Sequence, residues 1–226
     1  MRQGSRRFDG SLKRAIPEWL HPFGRSVYHI MYRLYLRGEW WFVDRLDSLY
    51  RRHAALPPAK LKFRVAENSS ASLFLSVGER TMANLEAALE SAGLTLAGGQ
   101  TALDFGCGCG RTMFWLSRRF PAVYWHGCDV DAEAVQWCGR SFPNAVFSVN
   151  TEFPPLSCAS SSFDIIFGIS VFTHLAEEYQ KAWVPELHRV LKPGGVLLLS
   201  FYGRNLWEGL EVADAIRRGE FVFSTS

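Results

Sequence analysis

From residue 101 onward, short apolar runs alternate with segments of helical periodicity, and this alternation constrains the fold more than any other feature of the chain. Strands that alternate with helices indicate βαβ units, because parallel neighbours need a crossover that a helix usually supplies. We therefore predict an α/β domain, a doubly wound three-layer αβα sandwich around a parallel sheet. The predicted strands are 101–105, 123–128, 145–149, 163–169 and 196–201, and the predicted helices are 111–119, 132–140 and 176–191. Pro185 falls inside the last of these, which predicts either a kink or a second helix beginning there.

The N-terminal quarter of the chain differs from the rest in charge. Residues 1–60 carry twelve Lys or Arg against five Asp or Glu, whereas residues 61–226 carry thirteen against seventeen. Arginines interleaved with aromatic and aliphatic residues predict a basic, aromatic-rich helical extension over 1–60, with helical runs at 27–34 and 41–52, ahead of a main domain over 61–226. This extension has three interpretations: it caps the active site, it packs as an ordinary extension, or it lies on an anionic membrane surface.

The five cysteines form an odd set without the spacing of a disulfide framework, and two of them lie one residue apart in a glycine-rich loop. This pattern favours reduced, buried thiols and a cytoplasmic location. A C-x-C pair without further ligands at metal-binding spacing predicts no metal site. The sequence also contains no run of 18 apolar residues, so we predict no membrane-spanning helix.

The loop after the first predicted strand is the strongest candidate for a ligand site. Leu103-Asp104-Phe105 ends the strand, and Gly106-Cys107-Gly108-Cys109-Gly110 turns toward the next helix. Glycine accepts positive φ and lets a ligand approach the backbone, and the free amides of a helix start favour an anionic group. A dinucleotide site has the spacing G-x-G-x-x-G, but Arg111 occupies the position of its third glycine.

A carboxylate follows the second predicted strand, where a nucleoside ribose would lie. Asp129 ends this strand, 19 residues after Gly110, and a carboxylate there can accept hydrogen bonds from both ribose hydroxyls. Asp131 is the competing candidate. Because it directly precedes a predicted helix, we assign it the N-cap instead.

These residues resemble the first motif and the second-strand acidic loop of class I S-adenosylmethionine-dependent methyltransferases. Two further segments are similar to that family: the fourth strand with its exit, and the helix end and turn before the fifth strand. The resemblance covers about residues 80–203 and implies a Rossmann-like fold with S-adenosyl-L-methionine as cofactor. The segments that carry it are 103–111, 126–131, 162–166 with 170–175, and 186–195.

The resemblance implies roles for individual positions. Asp104 would help hold the methionine amino group, and the loop 153–156 would close over the adenine side. Asn150 departs from the Asp that the family often has there. The implied cofactor-binding residues are Asp104, Phe105, Gly106, Cys107, Gly108, Gly110, Asp129, Val130, Asn150, Thr151, Glu152, Ile169 and Ser170.

His174 follows the fourth predicted strand, where the methyl acceptor should lie, and is the candidate general base. Its other interpretation is a local hydrogen bond where a helix begins. The chain lacks the Asp/Asn-Pro-Pro-aromatic tetrapeptide and the Pro-Cys nucleophile of DNA-base methyltransferases. We therefore expect a small-molecule, lipid or glycan-type acceptor and disfavour nucleic acid. The rival hypotheses are a non-catalytic cofactor-binding or partner-regulating module and a nicotinamide-dependent oxidoreductase.

Family members usually end their sheet with an antiparallel hairpin after the fifth strand. After residue 201, this sequence offers one helical pattern at 207–218 and one short apolar run at 221–225. We therefore expect the C-terminal strands of the sheet to be missing, with an exposed edge at the fifth strand. The chain would then be a fragment of a longer protein.

Overall fold

A computed structural model describes residues 21–50 and 56–201. Within them, five parallel strands form one sheet in the order β3-β2-β1-β4-β5. The order reverses beside β1, which is where open α/β sheets bind ligands. This topology confirms the predicted doubly wound α/β fold. The strands are β1 Thr101–Phe105, β2 Tyr124–Asp129, β3 Ala145–Val149, β4 Phe163–Gly168 and β5 Leu191–Leu199.

Helices cover both faces of this sheet. Because side chains alternate along a strand, β1, β2, β4 and β5 contribute to two separate cores, whereas β3 contributes to one. Ala102, Ile165 and Phe167 pack against α3, α4 and α5, whereas Leu103 and Ile166 pack against α6. The result is the predicted three-layer sandwich. The helices are α1 His21–Tyr50, α2 Ala59–Ala66, α3 Ala71–Ser91, α4 Met113–Arg119, α5 Ala132–Ser141 and α6 Glu177–Val190, with a short 3₁₀ turn at Phe172–His174.

The N-terminal part of the structure differs in detail from the sequence-based prediction. One continuous helix, α1, replaces the two predicted runs. The sequence analysis did not predict α2, which spans the expected domain boundary between residues 60 and 61. Leu56 and Leu61, on either side of this boundary, belong to the same buried cluster, so α2 is part of the main core. Residues 1–20, 207–218 and 221–225, where other segments were predicted, lie outside the described residues.

Helix α6 is a single helix that contains Pro185, so the predicted second helix does not form. Proline removes one helical hydrogen bond and therefore weakens a helix at its position. Trp183, Glu186 and Leu187 are buried on either side of Pro185. Their packing on the sheet and the loop beside it holds the two turns in one helix, because tertiary contacts outweigh a single lost hydrogen bond.

Strand β5 begins five residues before its predicted start. Leu191 pairs with Phe163, and the pairing resumes in a shifted register where Val196 meets Ile165. The turn residues between these two positions interrupt the ladder, and Gly194 adopts a φ of 79°. The Pro-Gly-Gly sequence predicted a turn alone because the first pairing rests on tertiary placement of Leu191.

The core between α6 and the sheet predicts a large effect for Leu187→Ala. Leu187 is fully buried, and truncation should lower the free energy of unfolding by about 2–5 kcal/mol because a cavity remains. Val184, in the same helix but exposed, provides the matched control: Val184→Ala should change it by less than about 0.5 kcal/mol. Urea denaturation of both variants measures the difference, and equal midpoints would contradict this packing.

Candidate functional site

A cavity of about 540 Å³ lies at the carboxyl ends of the strands, beside the reversal in strand order. This volume is within the usual range for small-molecule sites, roughly 300–1,000 Å³. Every sequence-predicted site residue except Gly110 lines it. Those residues are Asp104, Phe105, Gly106, Cys107, Gly108, Asp129, Val130, Asn150, Thr151, Glu152, Ile169, Ser170 and His174.

The glycine loop forms one wall because two of its positions exclude any side chain. Gly106 and Gly108 have φ values of 76° and 51°, which L-residues rarely adopt. A Cβ on Gly106 would lie 2.2 Å from Val171 Cγ2, and one on Gly108 would lie 2.6 Å from Val65 Cγ1. The side chains of Val171 and Val65 therefore pack directly against the loop backbone at these two glycines.

Gly110 has a different environment from the other two glycines. A Cβ there would lie 2.5 Å from Cε2 of Phe142, so this position packs the loop against the end of α5. Its φ is 79°, which gives a second reason for glycine. The structure thus places Gly110 away from the cavity, in the packing beneath the loop.

Asp129 is held rigidly at the end of β2 by two backbone amides. The Gly108 amide donates to its Oδ2 at 2.7 Å, and the Asp131 amide donates to its Oδ1 at 2.9 Å. Asp131 itself caps α5 by accepting from the amides of Glu133 and Ala134. The predicted N-cap role of Asp131 is thereby confirmed. Asp129 keeps lone pairs that can accept from a ligand.

Asp104 is a buried carboxyl at the end of β1, only 4% exposed. Burial raises the pKa of Asp104 to about 8, with a further increase from the nearby Asp129 charge and an opposing effect of Arg111. Burial in turn lowers the pKa of Arg111. A carboxyl with such a raised pKa would be ionised readily by a cation placed in the cavity.

On the opposite side of the cavity, Asn150 has an unsatisfied acceptor. Its Nδ2 donates to the Thr151 carbonyl at 2.8 Å, whereas its Oδ1 is buried with no partner among the described residues. The Thr151 carbonyl also fixes the amide orientation, because a flipped amide would bring two oxygens together. A buried acceptor without a partner favours a ligand that donates a hydrogen bond there.

The exit of β4 supplies the wall nearest to α6. Ser170 adopts a φ of 59°, and its amide donates to Ser200 Oγ at 2.7 Å. His174 is exposed, lines the cavity, and its backbone amide donates to the Val171 carbonyl at 2.9 Å. This amide hydrogen bond closes the 3₁₀ turn without the imidazole, which leaves the ring available to the cavity.

Helix α2 supplies a wall that sequence reasoning missed. Val65 packs over Gly108, and Arg111 Nη1 donates to the Val65 carbonyl at 3.2 Å. Arg64 pairs with Asp131 and Glu133, beyond the end of β2. The Pro57-Pro58 pair before Ala59 could have signalled a helix start, because proline is common in the first turn. The other lining residues not predicted are Thr112, Val171, Leu175, Ala176, Tyr179 and Trp183.

The loop 153–156 contacts α6 at both of its ends. The rings of Phe153 and Tyr179 lie 4.5 Å apart, and the Leu156 amide donates to Glu186 Oε1 at 2.7 Å. Trp183 Nε1 donates to the Glu152 carbonyl at 2.9 Å. This loop is therefore anchored to α6 rather than freely mobile at the cavity mouth.

The cysteines near the loop are free thiols, and those of the loop itself are buried, as predicted. Burial raises the pKa of Cys109 to about 12, which keeps this thiol protonated. Within residues 21–50 and 56–201, no group of three or more His, Cys, Asp or Glu residues is arranged to hold a metal ion. No helix in this part of the chain is long and apolar enough to cross a membrane.

Comparison with known proteins finds similarity to methyltransferases. The methyltransferase domain family matches residues 102–195. The tRNA N(3)-cytidine methyltransferase METTL2 of Mus musculus is 28% identical over 120 residues, which cover 45% of this chain and 28% of that protein. Phosphoethanolamine N-methyltransferase 1 of Arabidopsis thaliana is 30% identical over 122 residues, covering 50% and 23% respectively. The chain thus matches less than a third of the length of these relatives.

A TehB-like SAM-dependent methyltransferase from Corynebacterium glutamicum is a similar solved structure, with 25% identity, a TM-score of 0.43, and coverage of 62% of this chain and 83% of that one. The family match coincides with β1 through the start of β5, the segment that carries the glycine loop and both carboxylates. Residues 102–195 of the chain therefore carry a methyltransferase domain.

Proposed function

We propose that the protein transfers a methyl group from S-adenosyl-L-methionine to a small-molecule, lipid or glycan-type acceptor. The observation that carries this proposal is the convergence of two carboxyls and a glycine loop on one cavity. Asp104 and Asp129 lie at the carboxyl ends of adjacent strands, and a side chain has no room at Gly106 or Gly108 in the loop that joins them. This arrangement suits a ligand with a cationic end and a ribose.

In this proposal, Asp129 accepts hydrogen bonds from the two ribose hydroxyls. Its two contacts with backbone amides support this role, because a carboxylate fixed before binding loses little freedom when the ligand arrives. Asn150 Oδ1 accepts from the adenine amino group, which would give this buried oxygen a partner. Thr151, Glu152 and Val130 border the same end of the cavity.

The opposite end of the cavity would hold the methionine part of the cofactor. Asp104 accepts from its ammonium group, and Arg111, which lines the same cavity, pairs with its carboxylate. The raised pKa of Asp104 supports this assignment, because a carboxyl buried at a cost in the free protein gains most from a bound cation. Phe105, Cys107, Ile169 and Ser170 form the walls between the two ends.

When bound, S-adenosylmethionine supplies a methyl group on a positively charged sulfur, which is already a strong electrophile. The chain's main contribution is to align the acceptor with that methyl group, which can lower the barrier by about 7–11 kcal/mol. We further propose that His174 takes the proton from the acceptor. Its exposed imidazole at the cavity wall supports this role, since the turn around it is closed by a backbone hydrogen bond.

The acceptor class is the least determined part of the proposal. The curated relatives include enzymes named for tRNA and for phosphoethanolamine, so their names do not distinguish a nucleic-acid acceptor from a small-molecule acceptor. The lack of the nucleic-acid motifs after β4 favours the small-molecule, lipid or glycan class. The free thiols favour a reducing, cytoplasmic location. The alternative function is a module that binds the cofactor without turnover and regulates a partner.

Asp129→Asn tests the ribose contact. Loss of two hydrogen bonds to a charged acceptor should weaken binding of S-adenosylhomocysteine about tenfold to hundredfold, measured by calorimetric titration. The matched control is Asp131→Asn, which removes a charge from the same loop but keeps a side chain that can act as an N-cap, and should leave the affinity within about twofold. NAD titrated alongside should not bind. Equal affinities for Asp129→Asn and the wild-type protein would contradict the assignment.

Asp104 predicts proton release on cofactor binding. At pH 7, a carboxyl with a pKa of about 8 is mostly protonated, and a bound ammonium group should ionise it, releasing up to about 0.9 proton per site. Titration with S-adenosylhomocysteine in phosphate and in Tris buffer gives this number from the difference in apparent enthalpy. Asp104→Asn should release close to none.

The ligand-free protein provides a separate check of the same pKa. Because the folded-state pKa of Asp104 is raised, its contribution to stability decreases as the pH rises from about 4 to about 8. The wild-type protein should therefore lose stability relative to Asp104→Asn over this range. If the difference in free energy of unfolding between the wild-type protein and Asp104→Asn stays constant over these pH values, the pKa of Asp104 is not raised, and the assignment is contradicted.

His174→Ala tests the base. We expect turnover to fall about 10²–10⁴-fold while the affinity for S-adenosylhomocysteine stays within about twofold. The control is His188→Ala, which removes an exposed histidine of α6 outside the cavity. Methyl-labelled cofactor incubated separately with lipid, tRNA and small-molecule fractions identifies the acceptor for this assay. Label in the tRNA fraction alone would overturn the acceptor class, and binding without any transfer would favour the non-catalytic module.

A further inference from the structure

The turn that carries His174 has few hydrogen bonds of its own. The 3₁₀ turn Phe172–His174 has no side-chain cap. The His174 amide donates to the Val171 carbonyl at 2.9 Å, whereas the Leu175 amide reaches the Phe172 carbonyl only at 3.4 Å. Because the imidazole is exposed, the backbone of this turn determines which part of the cavity the ring can reach.

Gln180, in the second turn of α6, connects this backbone to the helix. Its Nε2 donates to the Phe172 carbonyl at 2.8 Å and to the Leu175 carbonyl at 3.0 Å. Both acceptors are carbonyls, so the amide orientation is determined, because a flipped amide would place its oxygen against two others. A primary amide has two N–H groups, one for each carbonyl. Since the two carbonyls flank Thr173 and His174, one side chain spans the segment that carries the imidazole.

Both ends of this connection are well supported. Helix α6 is fixed to the sheet by Trp183 and Leu187, which are fully buried. The ring of Phe172 is also buried and packs on Phe105 with centroids 6.4 Å apart. Among the side chains that the structure describes, Gln180 alone hydrogen-bonds to residues 172–175. The turn is therefore held by an apolar contact at its start and by the Gln180 amide across its end.

These two hydrogen bonds do not serve the start of α6. The groups left free at the start of a helix are amides, which need acceptors, whereas the Gln180 side chain donates. The amides of Tyr179 and Gln180 already donate to the Ala176 carbonyl, both at 3.1 Å. The contact therefore stabilises the turn before α6 rather than the helix itself.

We propose that Gln180 is a positioning residue for methyl transfer, which holds the His174 imidazole at the cavity wall by tying its turn to α6. This inference rests on the proposed role of His174 as the base. Gln180 lies outside the described lining of the cavity, so it acts through the turn and not on the acceptor. Displacing a catalytic group by about 1 Å can lower a rate about hundredfold, so the position of this turn is important for turnover.

Gln180→Leu tests the proposal, because it keeps a similar volume and removes both donors. Turnover should fall about tenfold to hundredfold, while the affinity for S-adenosylhomocysteine stays within about twofold of the wild-type value. The assay uses methyl-labelled S-adenosylmethionine with the lipid, tRNA and small-molecule fractions. Gln180→Glu, which keeps the shape but cannot donate when ionised, should have at least as large an effect. The matched control is Gln136→Leu, the same change at an exposed position of α5 outside the cavity, which should behave like the wild-type protein.

A double-mutant cycle separates positioning from a general loss of structure. If Gln180 acts through His174, Gln180→Leu should change the residual turnover of His174→Ala by less than about twofold. A general structural role would instead lower turnover by the same factor in both backgrounds.

Nuclear magnetic resonance of the histidine rings tests the tie without reference to activity. The chain has six histidines, and the His174 signal is the one missing from His174→Ala. In Gln180→Leu this signal should shift or broaden, because the turn is released, while the other five stay in place.

An unchanged His174 signal, or equal losses of turnover in both backgrounds, would overturn the positioning role alone. Full turnover of His174→Ala, or no label in any fraction, would overturn the proposed function and the positioning role together. The two failures are distinguishable, because the ring signal reports on the turn whether or not methyl transfer occurs.

Discussion

The hydrogen bond from the Gly108 amide to Asp129 is the contact on which the site depends. It ties the loop after β1 to the carboxylate after β2, at the point where the strand order reverses. The amides of Gly106 and Cys107 strengthen this connection by donating to the Cys128 carbonyl at 2.8 and 3.0 Å. The loop and the acid are thereby fixed relative to each other before any ligand binds, which reduces the entropy that binding costs.

Beside this rigid loop lies a carboxyl whose ionisation is unfavourable in the ligand-free protein. Asp104 is buried, and its raised pKa shows that the folded protein disfavours its charge. Arg111 compensates only in part, because its own pKa is lowered by burial and one of its donors is bound to the Val65 carbonyl. A buried carboxyl whose charged form is disfavoured, at one end of a cavity, is typical of a site that binds a charged ligand.

Helix α2 joins the cavity to the N-terminal extension. Its Val65 covers the glycine loop, its Arg64 pairs with residues after β2, and its Phe63 supports Trp40 of α1. Helix α1 is therefore connected to the cavity wall by one short element. Arg64 and Val65 line the cavity but follow the predicted boundary at residue 60, so capping of the cavity by residues 1–60 stays a prediction.

The sequence by itself determined the sheet, the position of the glycine loop and the N-cap role of Asp131, because short apolar runs, glycine spacing and N-cap chemistry are local signals. Only the tertiary structure decided the rest. Helix α2 is too short for a clear period, Pro185 is held in α6 by packing on both sides, and Gly110 faces Phe142 rather than the cavity. The pKa of Asp104 likewise arises from burial by several elements. Each of these depends on contacts between residues distant in the chain, which no local pattern encodes.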